Sequence, residues 1–139
     1  LWTDGLDYEH GTGHGVGQFL GVHEGPHRIS KAPNRVALEP GMVVSVEPGY
    51  YKTGAYGIRI ENLVCVTADN AAMADTDKDL LKFETLTLAP IDRALIDTGL
   101  MDESEIAWTN DYHARVRAEI APLVDAATAR WLEQATQPL

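Results

Sequence analysis

Two runs of β-forming residues constrain this chain more than any other feature: "GMVVSVEPGYY" at 41–51 and "GIRIENLVCV" at 57–66. The first stops at Pro48-Gly49 and a Gly/Tyr-rich connector joins it to the second, a pattern that reads as a β-hairpin with a long loop. On the second strand, period-two alternation sets Arg59, Glu61, Leu63 and Cys65 on one face and Ile58, Ile60, Asn62 and Val64 on the other. Glu61 therefore points with Arg59. A carboxylate inside an otherwise apolar strand is costly to bury unpaired, so Glu61 calls for a positive partner. Arg59 in a plain ion pair and a divalent cation both meet that need, and the two can coexist. Glu47 sits where the first strand meets Pro48-Gly49.

Upstream lies "EHGTGHGVGQFLGVHEGP", residues 9–26. A helix over 9–18 would place His10 and His14 on one face, but Gly11, Gly13, Gly15 and Gly17 would each cost about 1 kcal/mol relative to alanine. In an extended segment His10, Thr12, His14 and Val16 again share a face, while the glycines line the other and admit a close neighbour. Either way the two imidazoles lie together. Near neutral pH an imidazole ligates a metal or shuttles a proton, and as a ligand it needs a partner that holds one tautomer. Ordinary histidines in a surface loop are the plain alternative. The third histidine, His23, and the two strand-borne glutamates weigh against it.

The rest of the chain sets bounds. Its 139 residues suit about one domain, and no apolar run approaches the roughly 20 residues of a membrane span. A net charge of −10 with acidic residues spread throughout argues against nucleic acid as a partner. A single cysteine, Cys65, reads as a small buried side chain in a reducing compartment, which favours the cytoplasm. Residues 68–82 are small and acidic, and "FETLTLAPI" at 83–91 alternates as a further strand. From Asp102 to Ile120, Ile106, Thr109, His113, Val116 and Ile120 recur at helical spacing, and Pro122 suits the first turn of a second helix with Leu123, Ala127 and Trp131 as its stripe.

In their order, "HGTGHGVGQFLGVHEGP", "GMVVSVEPGYY" and "YGIRIENLVCV" resemble the carboxyl-terminal half of the catalytic domain of the aminopeptidase P (Xaa-Pro aminopeptidase) family of pita-bread metallopeptidases. The likeness continues through "FETLTLAPIDRALID" and into "DYHARVRAEI" and "WLEQATQPL", which are similar to that family's carboxyl-terminal extension. It implies an α+β fold: residues 1–90 as half of a pita-bread domain, an antiparallel sheet with helices, and 91–139 as a helical extension. It implies removal of an amino-terminal residue that precedes proline, with two divalent cations, manganese as a rule. His14, Glu47 and Glu61 would be metal ligands, with Glu47 also taking the proton of a bridging water and Glu61 bridging both ions. His10 and His23 would be catalytic, substrate-side histidines at the scissile bond, and Arg59 would orient Glu61 and contact substrate.

The family's other two ligands are aspartates well upstream, and Asp4 and Asp7 lie too close to His14 to replace them. Charge counting agrees: two divalent ions bring four positive charges against two from Glu47 and Glu61, so two more carboxylates are needed. With Leu1 in place of an initiator methionine and no leader, the expectation is part of a larger enzyme. Alone, it would hold at most one metal, weakly, and hydrolyse nothing; half a pita-bread domain would expose a sheet edge and an apolar face, which a homodimer would cover. Three other readings stand beside this one: a prolidase-type dipeptidase, a metal-free creatinase-like hydrolase, and a non-catalytic module that binds peptides or proteins.

Overall fold

Both β-forming runs become one long hairpin, interrupted in its middle. A computed structural model describes residues 1–139 except Leu20 and Asp75, the latter inside the acidic stretch 68–82. In it, β3 (Val43–Val46) pairs antiparallel with β6 (Asn62–Ala68), and β4 (Gly49–Lys52) pairs antiparallel with β5 (Tyr56–Arg59). The register is the same in both, Val46 opposite Asn62 and Gly49 opposite Arg59. The expected long loop is thus itself paired, and only a short turn around Gly54, with its φ of 73°, reverses the chain. What breaks the ladder is Pro48, which has no N–H to donate. The strand around Arg59 and Glu61 is correspondingly split into β5 and β6, with the register unchanged across the break.

Two further strands flank the hairpin. β7 (Leu81–Thr85) pairs with β6, two residues earlier than the run at 83–91 suggested. The ladder ends there because β6 begins at Asn62; the last backbone donors, Leu86 and Thr87, both reach the Leu63 carbonyl. β1 (Gly13–His14) pairs with β2 (Arg28–Ile29) and also lies along the free edge of β3 through a Gly15–Val44 bridge. Val44, Val64 and Val66, at 0%, 5% and 1% exposure, form the apolar face of this unit, Leu1–Thr87. A one-turn helix, α1 (Asn70–Met73), is capped by the Asp69 carboxylate in the acidic stretch.

The second unit, Leu88–Leu139, is helical. α2 (Glu103–Ile120) starts with a capping box: Asp102 accepts the Glu105 N–H and the Glu105 carboxylate accepts the Asp102 N–H. The Ser104 hydroxyl and the Glu105 amide hold the Asp102 carboxyl below its ordinary pKa. α3 (Ala126–Ala135) is a separate helix capped by Asp125, and Pro122 belongs to the 3-10 turn Ala121–Leu123 before it. The expected stripe is corrected accordingly, because Leu123 and Trp131 are 78% and 57% exposed while Leu132 and Thr136 turn inward. Tyr112, Val116 and Leu132 make the core, with Leu88 and Ile91 packed against it.

The strap at 88–91 is tied to α2 by hydrogen bonds as well as packing. Tyr112 donates its hydroxyl to the Ala89 carbonyl at 2.9 Å, and the Ile91 N–H donates to His113 Nε2 at 3.0 Å. Arg93 and Arg117 fasten the end of the chain by donating to the Pro138 and Thr136 carbonyls. Truncating Leu132 to alanine is expected to cost about 3 kcal/mol in urea unfolding, whereas Leu123→Ala should stay within about 0.5 kcal/mol. His113 is fully covered and acts as an acceptor, which only the neutral ring can do. Burial, together with Arg93 and Arg117, pushes its pKa below the ordinary histidine value of 6.5. The unfolded chain therefore takes up this proton first, so stability present above that value is lost as pH falls below it. Urea midpoints at about pH 7.5 and pH 5 are expected to differ more in the parent protein than in His113→Gln, which keeps an acceptor that does not titrate.

Candidate metal centre

The shared register of the interrupted hairpin sets Glu47 opposite Glu61, in the gap that Pro48 opens. Like charges directly opposite each other across an antiparallel pair repel. β1 brings an imidazole to the same gap: Thr12 accepts the Glu47 N–H at 2.7 Å, and Val43 accepts the Val16 N–H at 3.2 Å. This close docking is what the glycines serve. A Cβ on Gly13 would collide with the Ser45 carbonyl, and one on Gly15 with the Glu24 carbonyl and the His27 ring. Neither has a left-handed φ, which is confined to Gly5, Gly41 and Gly54. His27, which sequence reasoning passed over, clamps the same segment: its ring donates Nε2–H to the Val43 carbonyl at 2.8 Å, and its backbone carbonyl accepts the Gly15 N–H at 3.1 Å.

The ligand atoms of His14, Glu47 and Glu61 all lie within 4.8 Å of one another. His14 Nδ1 is 2.9 Å from the Gly15 carbonyl, which can only accept, so Nδ1 carries a proton. In the neutral ring Nε2 then turns a lone pair toward Glu47 Oε1 at 3.2 Å. A lone pair facing one carboxylate, and that carboxylate facing another, are conflicts that a cation among them resolves. Two hard carboxylates and one imidazole of fixed tautomer are a donor set suited to a divalent first-row ion. The Glu47 side chain is 13% exposed, while Glu61 is exposed and has no hydrogen bond or ion pair among the described residues. Arg59 Nη1 lies 3.6 Å from Glu47 Oε2, and the charges of both Glu47 and Glu61 favour its guanidinium. Asp7 is turned away to Lys31 at 2.6 Å, which holds its carboxyl at about 2.

Around these ligands is a cleft of about 390 Å³ lined by His10, His14, His23, Arg28, Glu47 and Arg59 among others. His10 donates Nδ1–H to the Gly11 carbonyl at 2.7 Å, so its Nε2 accepts the Tyr51 hydroxyl at 2.8 Å. Tyr51 in turn accepts Arg59 Nε–H at 2.8 Å, the main cause of the raised Arg59 pKa. Both nitrogens of His10 are thus engaged. His23 is exposed, its ring 4.4 Å from that of His14, and its nitrogens make no hydrogen bond among the described residues. Sequence reasoning also missed Tyr51 and Ser45. Their one signal was place in the pleat, since Ser45 lies two residues before Glu47 on the same strand face.

The profile of metallopeptidase family M24 matches residues 1–68, and that of the C-terminal region of peptidase M24 matches residues 79–139. This chain belongs to metallopeptidase family M24. Among M24 relatives, aminopeptidase P1 of Lotus japonicus is 49% identical across the whole chain, which covers 21% of that protein. Aminopeptidase P1 of Arabidopsis thaliana is 45% identical, the whole chain covering 22% of it. The crystal structure of X-prolyl aminopeptidase from Caenorhabditis elegans, described as a cytosolic enzyme with a di-nuclear active site, superposes with a TM-score of 0.91 at 42% identity, over 99% of this chain and 23% of that one. The α+β fold is therefore that of part of a pita-bread domain. The chain spans about a fifth of the length of these M24 relatives.

The fit of β1 against β3 gives a direct check. Gly13→Ala is expected to lose about 3 kcal/mol of stability, because the blocked contact is backbone and cannot swing aside. Gly11→Ala, whose Cβ meets only ordinary contacts, should stay within about 0.5 kcal/mol in the same urea titration.

Proposed function

We propose that this chain supplies one side of the catalytic centre of a metal-dependent aminopeptidase that releases an amino-terminal residue preceding proline. The observation that carries this reading is the convergence of His14, Glu47 and Glu61 in the hairpin gap. The relatives' names and the di-nuclear site of the nematode enzyme support it. His14, Glu47 and Glu61 would hold two divalent cations, manganese in our reading, together with two carboxylates from upstream. Once bound, these ions would supply Lewis acidity and a nucleophile at neutral pH.

The chain's own residues do the rest. An Xaa-Pro bond has no amide N–H, so it must be recognised by its carbonyl, its ring and the free amine. His23, with its ring nitrogens free at the rim of the cleft, donates a hydrogen bond to the scissile carbonyl and passes a proton to the leaving prolyl nitrogen. Glu47 takes up the proton released by the attacking water. His10 adds its polar edge to the substrate side, held in one tautomer by the Gly11 carbonyl and the Tyr51 hydroxyl. Arg59 braces Tyr51 and Glu47 and lines the substrate cleft.

The assembly we propose is a cytoplasmic homodimer. It is supported by the apolar side chains left exposed in the first unit: Trp2 at 74%, Phe19 at 89% and Phe83 at 49%, the last on the outer strand β7. No helix among the described residues is long and apolar enough to cross a membrane.

Hydrolysis of an Xaa-Pro-Xaa tripeptide with added manganese is expected from this chain extended upstream to the length of its relatives, and not from residues 1–139 alone. Activity of residues 1–139 alone would overturn the divided centre. In the extended protein Glu61→Gln is expected to abolish stoichiometric metal; full occupancy would overturn its bridging role.

A further inference from the structure

We propose that Ser45 is a positioning residue that couples two of the metal ligands, His14 and Glu47, through its single hydroxyl; this rests on the metal-centre reading above. Ser45 is fully covered and lies across β3 from His14. The hydrogen bonds at Thr12–Glu47 and Val16–Val43 set the alternation of this edge, and by it His14 and Ser45 would form a backbone-bonded pair. The His14 N–H instead donates to Ser45 Oγ at 2.9 Å. The serine hydroxyl has taken the place of a ladder carbonyl at the ligand residue.

That substitution fixes where the hydroxyl proton goes. With a lone pair occupied by the His14 N–H, Oγ donates its proton to Glu47 Oε1 at 3.1 Å. Oε1 is the same atom that faces His14 Nε2, and Arg59 approaches the other oxygen, Oε2. The carboxylate is therefore held at both oxygens before any ion arrives. One buried hydroxyl makes the backbone position of the imidazole and the rotamer of the glutamate depend on each other. A glutamate without this bond would have to be ordered at the moment of binding, at the expense of affinity.

Threonine and valine have nearly the same shape, and only threonine keeps the hydroxyl. In the protein extended to the length of its relatives, the manganese dissociation constant is measured by competition with a chelator for the parent, Ser45→Thr and Ser45→Val. Ser45→Thr is expected within about threefold of the parent, and Ser45→Val about ten- to a hundredfold weaker. The His14 amide proton resonance of the metal-free protein should stay in place in Ser45→Thr and move in Ser45→Val. Should the branched variants fail to fold, Ser45→Ala against the parent replaces them, with the same loss expected. Equal affinity with and without the hydroxyl overturns the role of Ser45 alone. A parent that binds no metal overturns the metal-centre reading, and this role with it.

Discussion

Everything else at this centre depends on the opposition of two carboxylates across one hairpin. Glu47 and Glu61 face each other because a single register runs through β3–β6 and β4–β5, and the space between them exists because Pro48 cannot complete the ladder. Two negative charges at cross-strand distance work against the fold unless something positive lies between or beside them. Arg59 offers partial relief at 3.6 Å from Glu47, although its Nε is committed to Tyr51. The hairpin is thus a strained electrostatic arrangement whose natural complement is a small, highly charged cation.

The glycine-rich segment makes sense only beside that hairpin. β1 can lie against the edge of β3 because Gly13 presents no Cβ to the Ser45 carbonyl, and Gly15 likewise leaves room for the Glu24 carbonyl and the His27 ring on its other flank. Close backbone approach then does two jobs. It brings His14 Nε2 to Glu47, and it leaves the Gly15 carbonyl where it accepts His14 Nδ1–H and so selects the tautomer able to ligate. A larger residue at Gly13 would push this segment off the edge of β3 that carries Glu47.

Much of this was legible in the residues. Alternation and the Pro48-Gly49 stop marked the hairpin, and the alternate glycines excluded a helix at 9–18. What stayed hidden was register, because nothing in "GMVVSVEPGYY" states that residues 49–52 pair on past the proline. For the same reason the Arg59–Glu47 approach was hidden: alternation within one strand speaks of faces, whereas this approach is diagonal across two strands. The second helix was misjudged for a different reason. Pro122 is a good start signal, but Asp125 captures two backbone N–H groups at the start of α3, so the helix begins later and its inward stripe rotates to Leu132. Ser45 and Tyr51 offered no signal beyond their place in the pleat, and His27 offered none of type or spacing, since their roles arise from tertiary docking.

The geometry also explains why this chain looks like one side of a site. Its donors lie on neighbouring strands of one antiparallel arrangement: β1 carries His14, and the gap between β3 and β6 carries both glutamates. Donors carried on adjoining strands approach from one direction, whereas a cation that must also hold a substrate needs donors on more than one side. The formal charge leads to the same point, because two carboxylates balance one divalent ion and leave a second uncompensated. Glu61, exposed and without a hydrogen-bond partner among the described residues, is the ligand whose surroundings are least complete. If Glu61 bridges two ions as proposed, it needs that freedom on its open side, and further acidic ligands arriving there would complete both its surroundings and the charge balance.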